Sequence, residues 1–374
     1  MSTNDSRSTP EPAQEARVVD PWAPAPGRGA RRDRDTGRRG AAPSRPAPSP
    51  GGRVDPAVGQ ALSFDLLRLS HVSGASGGFA RTLRRIFGSD QSAAELAASA
   101  AEAQAPVSTG RRIAVFSTRG GAGTTTAAAL LARLYAAVRQ DTVAALDLAI
   151  GHGTLGLRLG VDDRAGSGGA ATFAHLVPET TGGRLPSAED MRSMLAPVRD
   201  NLLATASAPA ADGPPPAGSL VRETCASVSR YFPLTVLDCP AGVNQPTTAA
   251  ALADAHAVVW VVPATMSGIE DALAQLSGPY LRQLVAAGRV VVVVTQLDRG
   301  APLSAAAQAA RLTALGYEAH ALDYDAHLAA GARLGLARLG PQRRMGVAHL
   351  AGRVLTVANA AQAPLGTSSA GGRR

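Results

Sequence analysis

Apolar residues along this chain come in short unbroken runs, separated by stretches with helical spacing. The first run, residues 113–116, leads straight into a glycine-rich loop, and residues 125–138 then repeat apolar positions every three or four residues. A second run at 142–146 ends beside Asp147, and a third at 234–237 ends beside Asp238. Residues 257–262 and 290–295 are continuous runs rich in β-branched side chains, the pattern of strands buried on both faces. Between them the spacing predicts one long helix over 268–287. A helix over 220–231, a last strand at 319–322 and a closing helix over 343–360 complete the alternation. The segment 161–218 is rich in Gly and Pro and is hard to read; a helix near 187–195 and a strand near 202–206 are expected there. Strands alternating with helices predict an α/β fold with a doubly wound, mostly parallel sheet. Ligands of such sheets sit at the C-terminal edge of the strands.

Before this domain the chain changes character. Residues 1–63 are dominated by Pro, Arg, Gly, Ser and Ala and read as a disordered arm, with positive charge concentrated over 28–53. Residues 64–110 read as a helical segment and linker, and 363–374 as a disordered tail around a domain at 111–362. Within the helical segment, Phe79, Leu83, Ile86 and Phe87 share one helical face and Arg81, Arg84 and Arg85 the other. Such a basic amphipathic helix suits docking on its own domain, a partner or a membrane surface.

Composition narrows the class. Apolar residues make up 45% of the chain but aromatics only 3%, so the core must be built from Ala, Val and Leu. All 37 basic residues are arginine and there is no lysine. The net charge of +8 is partly this compositional bias and partly a potential attraction to anionic partners. No apolar run reaches the roughly 18 residues of a membrane span, and no signal-peptide pattern is present. Two cysteines, Cys225 and Cys239, do not make a disulfide framework. These features predict a soluble cytoplasmic protein.

The chemistry lies in Arg119-Gly-Gly-Ala-Gly-Thr-Thr-Thr126. Gly120, Gly121 and Gly123 allow a tight loop whose amides cradle phosphate, and Ala122 completes the turn. The following helix adds the positive end of its dipole. Thr125 stands where a P-loop hydroxyl meets Mg²⁺, and Asp238 where a carboxylate holds that ion through water. Thr124 occupies the slot of the P-loop lysine. A dinucleotide-binding fingerprint fits worse, since the third glycine is replaced by threonine and only Asp141 or Asp147 stands about 20 residues on.

These residues resemble the deviant Walker A loop of the MinD/ParA group of P-loop ATPases, [K/R]-G-G-x-G-K-[S/T]-T. The chain departs from it only at Thr124. More narrowly, it is similar to the MinD-like ATPases encoded with actinobacterial type VII secretion systems. This resemblance rests on Val143-Ala-Ala-Leu-Asp147, Gly153-Thr-Leu-Gly156, Leu237-Asp-Cys-Pro-Ala-Gly242 and Tyr324-Asp-Ala-His-Leu-Ala-Ala-Gly331. It implies ATP and Mg²⁺ as cofactors and a homodimer formed on nucleotide binding. Arg119 would then be the basic residue that reaches across to the partner's phosphates, and Thr126 an α-phosphate contact. Asp147 would be the aspartate after the second strand, Asp238 the Walker B carboxylate, and Gln296 part of the region approaching adenine. Ala149 stands where many relatives carry a second aspartate.

Loss of a charged hydrogen bond, worth about 1.5–3 kcal/mol, weakens binding roughly ten- to a hundredfold. Catalysis suffers more, because positioning and charge stabilisation supply nearly all of phosphoryl transfer. The expectation is therefore a nucleotide-binding protein with slow or absent hydrolysis. It would serve a secretion or cell-pole partner, with peripheral contact at the inner face of the membrane. One alternative is a scaffold that keeps the fold without the switch. Another is a partitioning or division-positioning ATPase that binds DNA or membrane. Domain arginines such as Arg282, Arg311, Arg333 and Arg344 form no evident DNA-binding stripe. His152, His256, His320 and His327 lack metal-ligand spacing, and Trp260 reads as core.

Overall fold

The buried valine run at 290–295 is one of eight strands in a single sheet, in a computed structural model that describes residues 93–161, 171–181, 183, 185–207 and 215–361. The strands are β1 (Arg111–Phe116), β2 (Val143–Asp147), β3 (Ala196–Pro197), β4 (Leu202–Ala204), β5 (Leu234–Asp238), β6 (Ala257–Pro263), β7 (Val290–Thr295) and β8 (Ala319–Leu322). Their order is β3-β4-β2-β5-β1-β6-β7-β8, and every pairing is parallel except β3 with β4. The arginine arm, the amphipathic helix around Phe79 and the C-terminal tail lie outside the described residues.

Because successive side chains of a strand point to opposite faces, each strand feeds two cores. Ile113 and Val115 enter one core, and Ala114 and Phe116 the other. The first face is covered by α1 (Ala93–Ala103), α2 (Thr124–Val138), α3 (Leu155–Leu159) and the closing helix α12 (Pro341–Ala360). The second is covered by α4 (Phe173–Thr180), α6 (Gly218–Val228), α7 (Pro246–Asp254), α8 (Met266–Ser277), α9 (Pro279–Ala286) and α10 (Ala305–Ala314). Short helices α5 (Ala188–Ser193) and α11 (Ala326–Ala329) complete the set. A core poor in aromatics packs closely through small residues. Helix α2 buries five alanines, and Tyr135 within it donates a 2.7 Å hydrogen bond to the Ala351 carbonyl of α12. At Gly352 a side chain would run into Ser99 and Glu102, so glycine lets α1 lie against α12. No helix among the described residues is long and apolar enough to cross a membrane.

The expected strands and the closing helix are present with shifts of a residue or two. The helix expected over 268–287 is two helices. Pro279 has no amide to continue the ladder, and Gly278 adopts an extended conformation that ends α8 and starts α9. Helices α4, α7 and α10 had no clear sequence signal. Helix α4 contains Pro178 and lies in the Gly/Pro-rich segment, whereas α7 and α10 are alanine-rich, with too few large apolar residues to show a stripe.

At the centre of the second core, Trp260 is fully buried and stacks on Phe116, with ring centroids 5.9 Å apart. Its indole N–H has no hydrogen-bond partner. Trp260→Ala is therefore expected to cost about 3–5 kcal/mol. Trp260→Phe keeps most of the volume and removes the unpaired donor, so it should cost less than about 1.5 kcal/mol. Urea unfolding of the two variants beside wild type checks this, and equal losses would contradict it.

Candidate functional site

The loop from Gly120 to Gly123 turns the chain from β1 into α2. Gly121 and Gly123 hold φ of +76° and +94°, left-handed values that any side chain would strain. Gly123 is the N-cap of α2 and no side chain caps that end. The amides of the first turn are thus left for a ligand, with the positive end of the helix dipole behind them. The Thr295 hydroxyl, at the end of β7, donates to the Ala122 carbonyl at 2.7 Å and fixes the turn from below.

Thr124 and Arg119 both engage groups of the loop's own surroundings. The Thr124 hydroxyl donates to Ser117 Oγ at 2.9 Å, and Ser117 in turn donates to the Arg119 carbonyl at 2.6 Å. This relay ties the first residue of α2 to the start of the loop. The Arg119 side chain is half-exposed, with Nε 3.7 Å from Asp271 of α8, and the Thr118 hydroxyl donates to the same carboxylate oxygen at 2.5 Å. Arg119 thus lies over a second hollow beside α8, formed with Gly242, Asn244 and Gln275.

Strand register positions the carboxylates. Strands β2 and β5 pair with Asp147 directly opposite Asp238, so two acidic side chains end adjacent strands behind the loop. Asp147 accepts from the amides of Ala149 at 3.1 Å and Leu155 at 3.0 Å. A side chain on Gly153 would collide with its oxygens, which makes glycine obligatory there. Burial raises the Asp147 pKa to about 6, against the pull of these two amides and His152. Asp238 is more deeply buried, and neither of its oxygens has a hydrogen bond of ordinary geometry. Burial, then the Asp147 charge, push its pKa well up, while the Thr125 hydroxyl beside it acts in the opposite direction. A deeply buried carboxylate whose one neighbouring donor is a hydroxyl, next to a second carboxylate, has the oxygen donor chemistry a divalent cation takes.

Above these groups opens a cavity of about 670 Å³, within the usual range of ligand sites. Gly120, Gly121, Thr124, Thr125 and Thr126 form its floor, His152 and Arg158 one wall, and Asp323 to Asp325 another. Asp147 and Asp238 lie beneath the lining rather than in it. Gln296 reaches the rim, but its amide braces the adjacent loop: Oε1 accepts from the Ala305 amide at 2.7 Å and Nε2 donates to the Asp298 carbonyl at 2.9 Å. Sequence reasoning placed Gly153 in a motif without giving it a role, and missed Ser117, Asp271, Thr295 and Arg158 as parts of the site. Only Arg158 left a trace in the pattern, as an arginine three residues after Leu155 on what becomes the buried side of α3.

A mostly parallel sheet with this loop between β1 and α2 is the fold of the MinD/ParA type of P-loop protein. A ParA-family ATPase from Chlorobium tepidum TLS matches 65% of this chain and 98% of its own, with TM-score 0.50 and 14% identity. The Pyrococcus furiosus cell-division ATPase MinD matches 66% of this chain and 98% of its own, with TM-score 0.49 and 20% identity. Among curated proteins, the chain is similar to the ESX-1 secretion-associated protein EspI of Mycobacterium tuberculosis, strains H37Rv and CDC 1551 / Oshkosh. Identity is 29% over 255 residues, or 64% of this chain, and the chain spans 35% of that protein's length. No protein-family profile matches the chain.

The raised carboxylates have a consequence for stability. A carboxylate that holds its proton more tightly when folded contributes stability at low pH, and this is lost as pH rises through the folded-state value. In chelator, the stability attributable to Asp147 should fall between about pH 4 and pH 6. Asp238 should extend the fall higher. Asp238→Asn should flatten the upper part of this profile and stabilise the metal-free protein at pH 8 by about 1 kcal/mol or more. Urea titrations across that range measure both, and a profile unchanged by the substitution would refute the assignment.

Proposed function

We propose that this chain is a MinD/ParA-like nucleotide-binding protein that takes ATP with Mg²⁺ and hydrolyses it slowly or not at all. On this reading it acts as a switch or scaffold for type VII secretion or cell-pole machinery. The observation that carries the reading is the buried, unpartnered Asp238 carboxylate behind a glycine loop whose helix end is uncapped. Charge and dipole are held ready there for a cation and an anion together. Thr125 and Asp238 would hold the metal, which supplies charge neutralisation at the phosphates when bound. Gly120, Gly121, Ala122, Gly123, Thr124, Thr125 and Thr126 would bind the phosphates through their amides. Asp147 would fix the segment that follows β2, and Gln296 would border the base.

Slow turnover follows from Thr124. Its hydroxyl is short and already donates to Ser117, so it cannot stand in for an ammonium at the phosphates. Arg119 does not replace it on its own protomer, because it extends to Asp271 on the far side of the loop. It is well placed to leave that exposed pair and meet a second copy of the chain, which supports a nucleotide-dependent homodimer. The secretion role is supported by the motifs shared with the MinD-like ATPases of type VII secretion and by the similarity to the secretion-associated protein EspI. Partner identity and peripheral membrane contact belong to the same proposal.

Calorimetry and phosphate-release assays test it. Wild type should bind ATP-Mg²⁺ and release little phosphate. Thr124→Lys should bind ATP about tenfold or more tightly, the value of a charged hydrogen bond. Sedimentation should show dimer with ATP-Mg²⁺ and monomer without it. Brisk phosphate release by the unmodified chain would overturn the slow-turnover reading, and absence of any nucleotide-dependent dimer would leave only the scaffold.

A further inference from the structure

A chain without lysine still has to balance the charge of a triphosphate, and one buried cation already stands at the loop. Arg158, on α3, is only 9% exposed and lines the same cavity as the glycine turn. Its Nη2 donates to the Thr126 hydroxyl on the first turn of α2 and to the Leu328 carbonyl at 2.9 Å. Its Nη1 donates to the Ala332 carbonyl at 3.2 Å. These three acceptors are neutral, and Arg158 forms no ion pair among the described residues. A guanidinium has five N–H donors, so two remain for another acceptor. No carboxylate among the described residues pairs with Arg158: of the acidic side chains that line the cavity, Asp325 is engaged by Arg343, while Arg133 binds the Leu159 carbonyl on one side of Arg158 and Arg333 packs over Gly160 on the other. Burial works against the charged form of Arg158, and no neighbouring carboxylate offsets this.

A buried guanidinium without a counter-ion is costly unless an anion joins it. Here the three neutral acceptors fix the fork in place, which removes the entropy an exposed arginine would lose on binding. We propose that Arg158 is the cation that contacts the phosphates of the bound nucleotide, supplying from α3 the charge that position 124 lacks. The proposal rests on the nucleotide-binding reading above and adds to it the residue that gives selectivity for the phosphorylated ligand. It also assigns α3 a second task. The same short helix caps Asp147 through the Leu155 amide, so phosphate contact and carboxylate placement depend on one element.

The test is the ratio of ATP to adenosine affinity, measured by calorimetry with Mg²⁺ on the full chain. Arg158→Met should lower that ratio about tenfold or more while leaving adenosine affinity within about twofold of wild type. Arg158→Lys, which keeps the charge, should recover part of the ratio. Where the methionine variant is poorly folded by circular dichroism, Arg158→Gln, with amide donors for the same acceptors, serves as the neutral variant and the same ratio is read. Wild-type selectivity that persists in a folded neutral variant would overturn the role of Arg158 and leave the nucleotide-binding reading standing. Parallel loss of ATP and adenosine affinity would also overturn it, by showing damage to the cavity. Wild type that fails to bind ATP at all would overturn both.

Discussion

The pairing of β2 with β5 is the constraint on which the site depends. Its register sets Asp147 against Asp238, and burial then makes two neighbouring carboxylates expensive to ionise together. Each is handled differently. Asp147 is given two backbone amides and a glycine that leaves it room, so it serves as a structural acceptor organising the segment after β2. Asp238 has no hydrogen bond of ordinary geometry, only the Thr125 hydroxyl beside it, and burial with the neighbouring Asp147 charge favours its protonated form. Folding alone does not explain keeping such a group inside a well-packed sheet, because a neutral side chain there would be less costly. The strand ladder thus sets two buried carboxylates at the edge of the sheet, close to the glycine loop that follows β1.

Around that edge the chain manages charge with arginine alone. A guanidinium is planar and binds several acceptors at fixed angles, whereas an ammonium is a compact point charge on a flexible stem. An arginine therefore suits a wall better than a tight loop. Arg158 lies beside the turn and braces three neutral acceptors, and Arg119 lies outside it against Asp271. The position inside the turn is filled by a hydroxyl relay through Ser117, which closes the loop on itself without charge. The distribution of positive charge differs from that of a lysine-bearing loop, while the backbone cage is of the same kind.

Much of this was legible in the sequence, for reasons that particular residues make plain. The valine runs of β6 and β7 could only be strands buried on both faces, and the spacing from Ile113 through the glycines to the alanine-rich helix fixed the loop's context. Asp147 and Asp238 were readable because each closes an apolar run. Three things were not. The break at Gly278 was hidden because the apolar spacing of α8 continues into α9, although Pro279 alone argued for a stop. Helices α7 and α10 carry too little large apolar surface to show a stripe, since their packing relies on alanine. Contacts across the fold left no linear trace: Thr295 lies 173 residues from Ala122, and Asp271 lies 153 from Thr118.

The Thr295 hydroxyl joins two parts of the fold that lie far apart in sequence. It grips the Ala122 carbonyl at the end of β7, and the next residue, Gln296, anchors the loop that leads into α10. The glycine turn and the start of α10 are therefore joined by two adjacent side chains on one strand end, with little slack between them. One strand end thus serves as a common anchor for the glycine turn and for the helix that follows it.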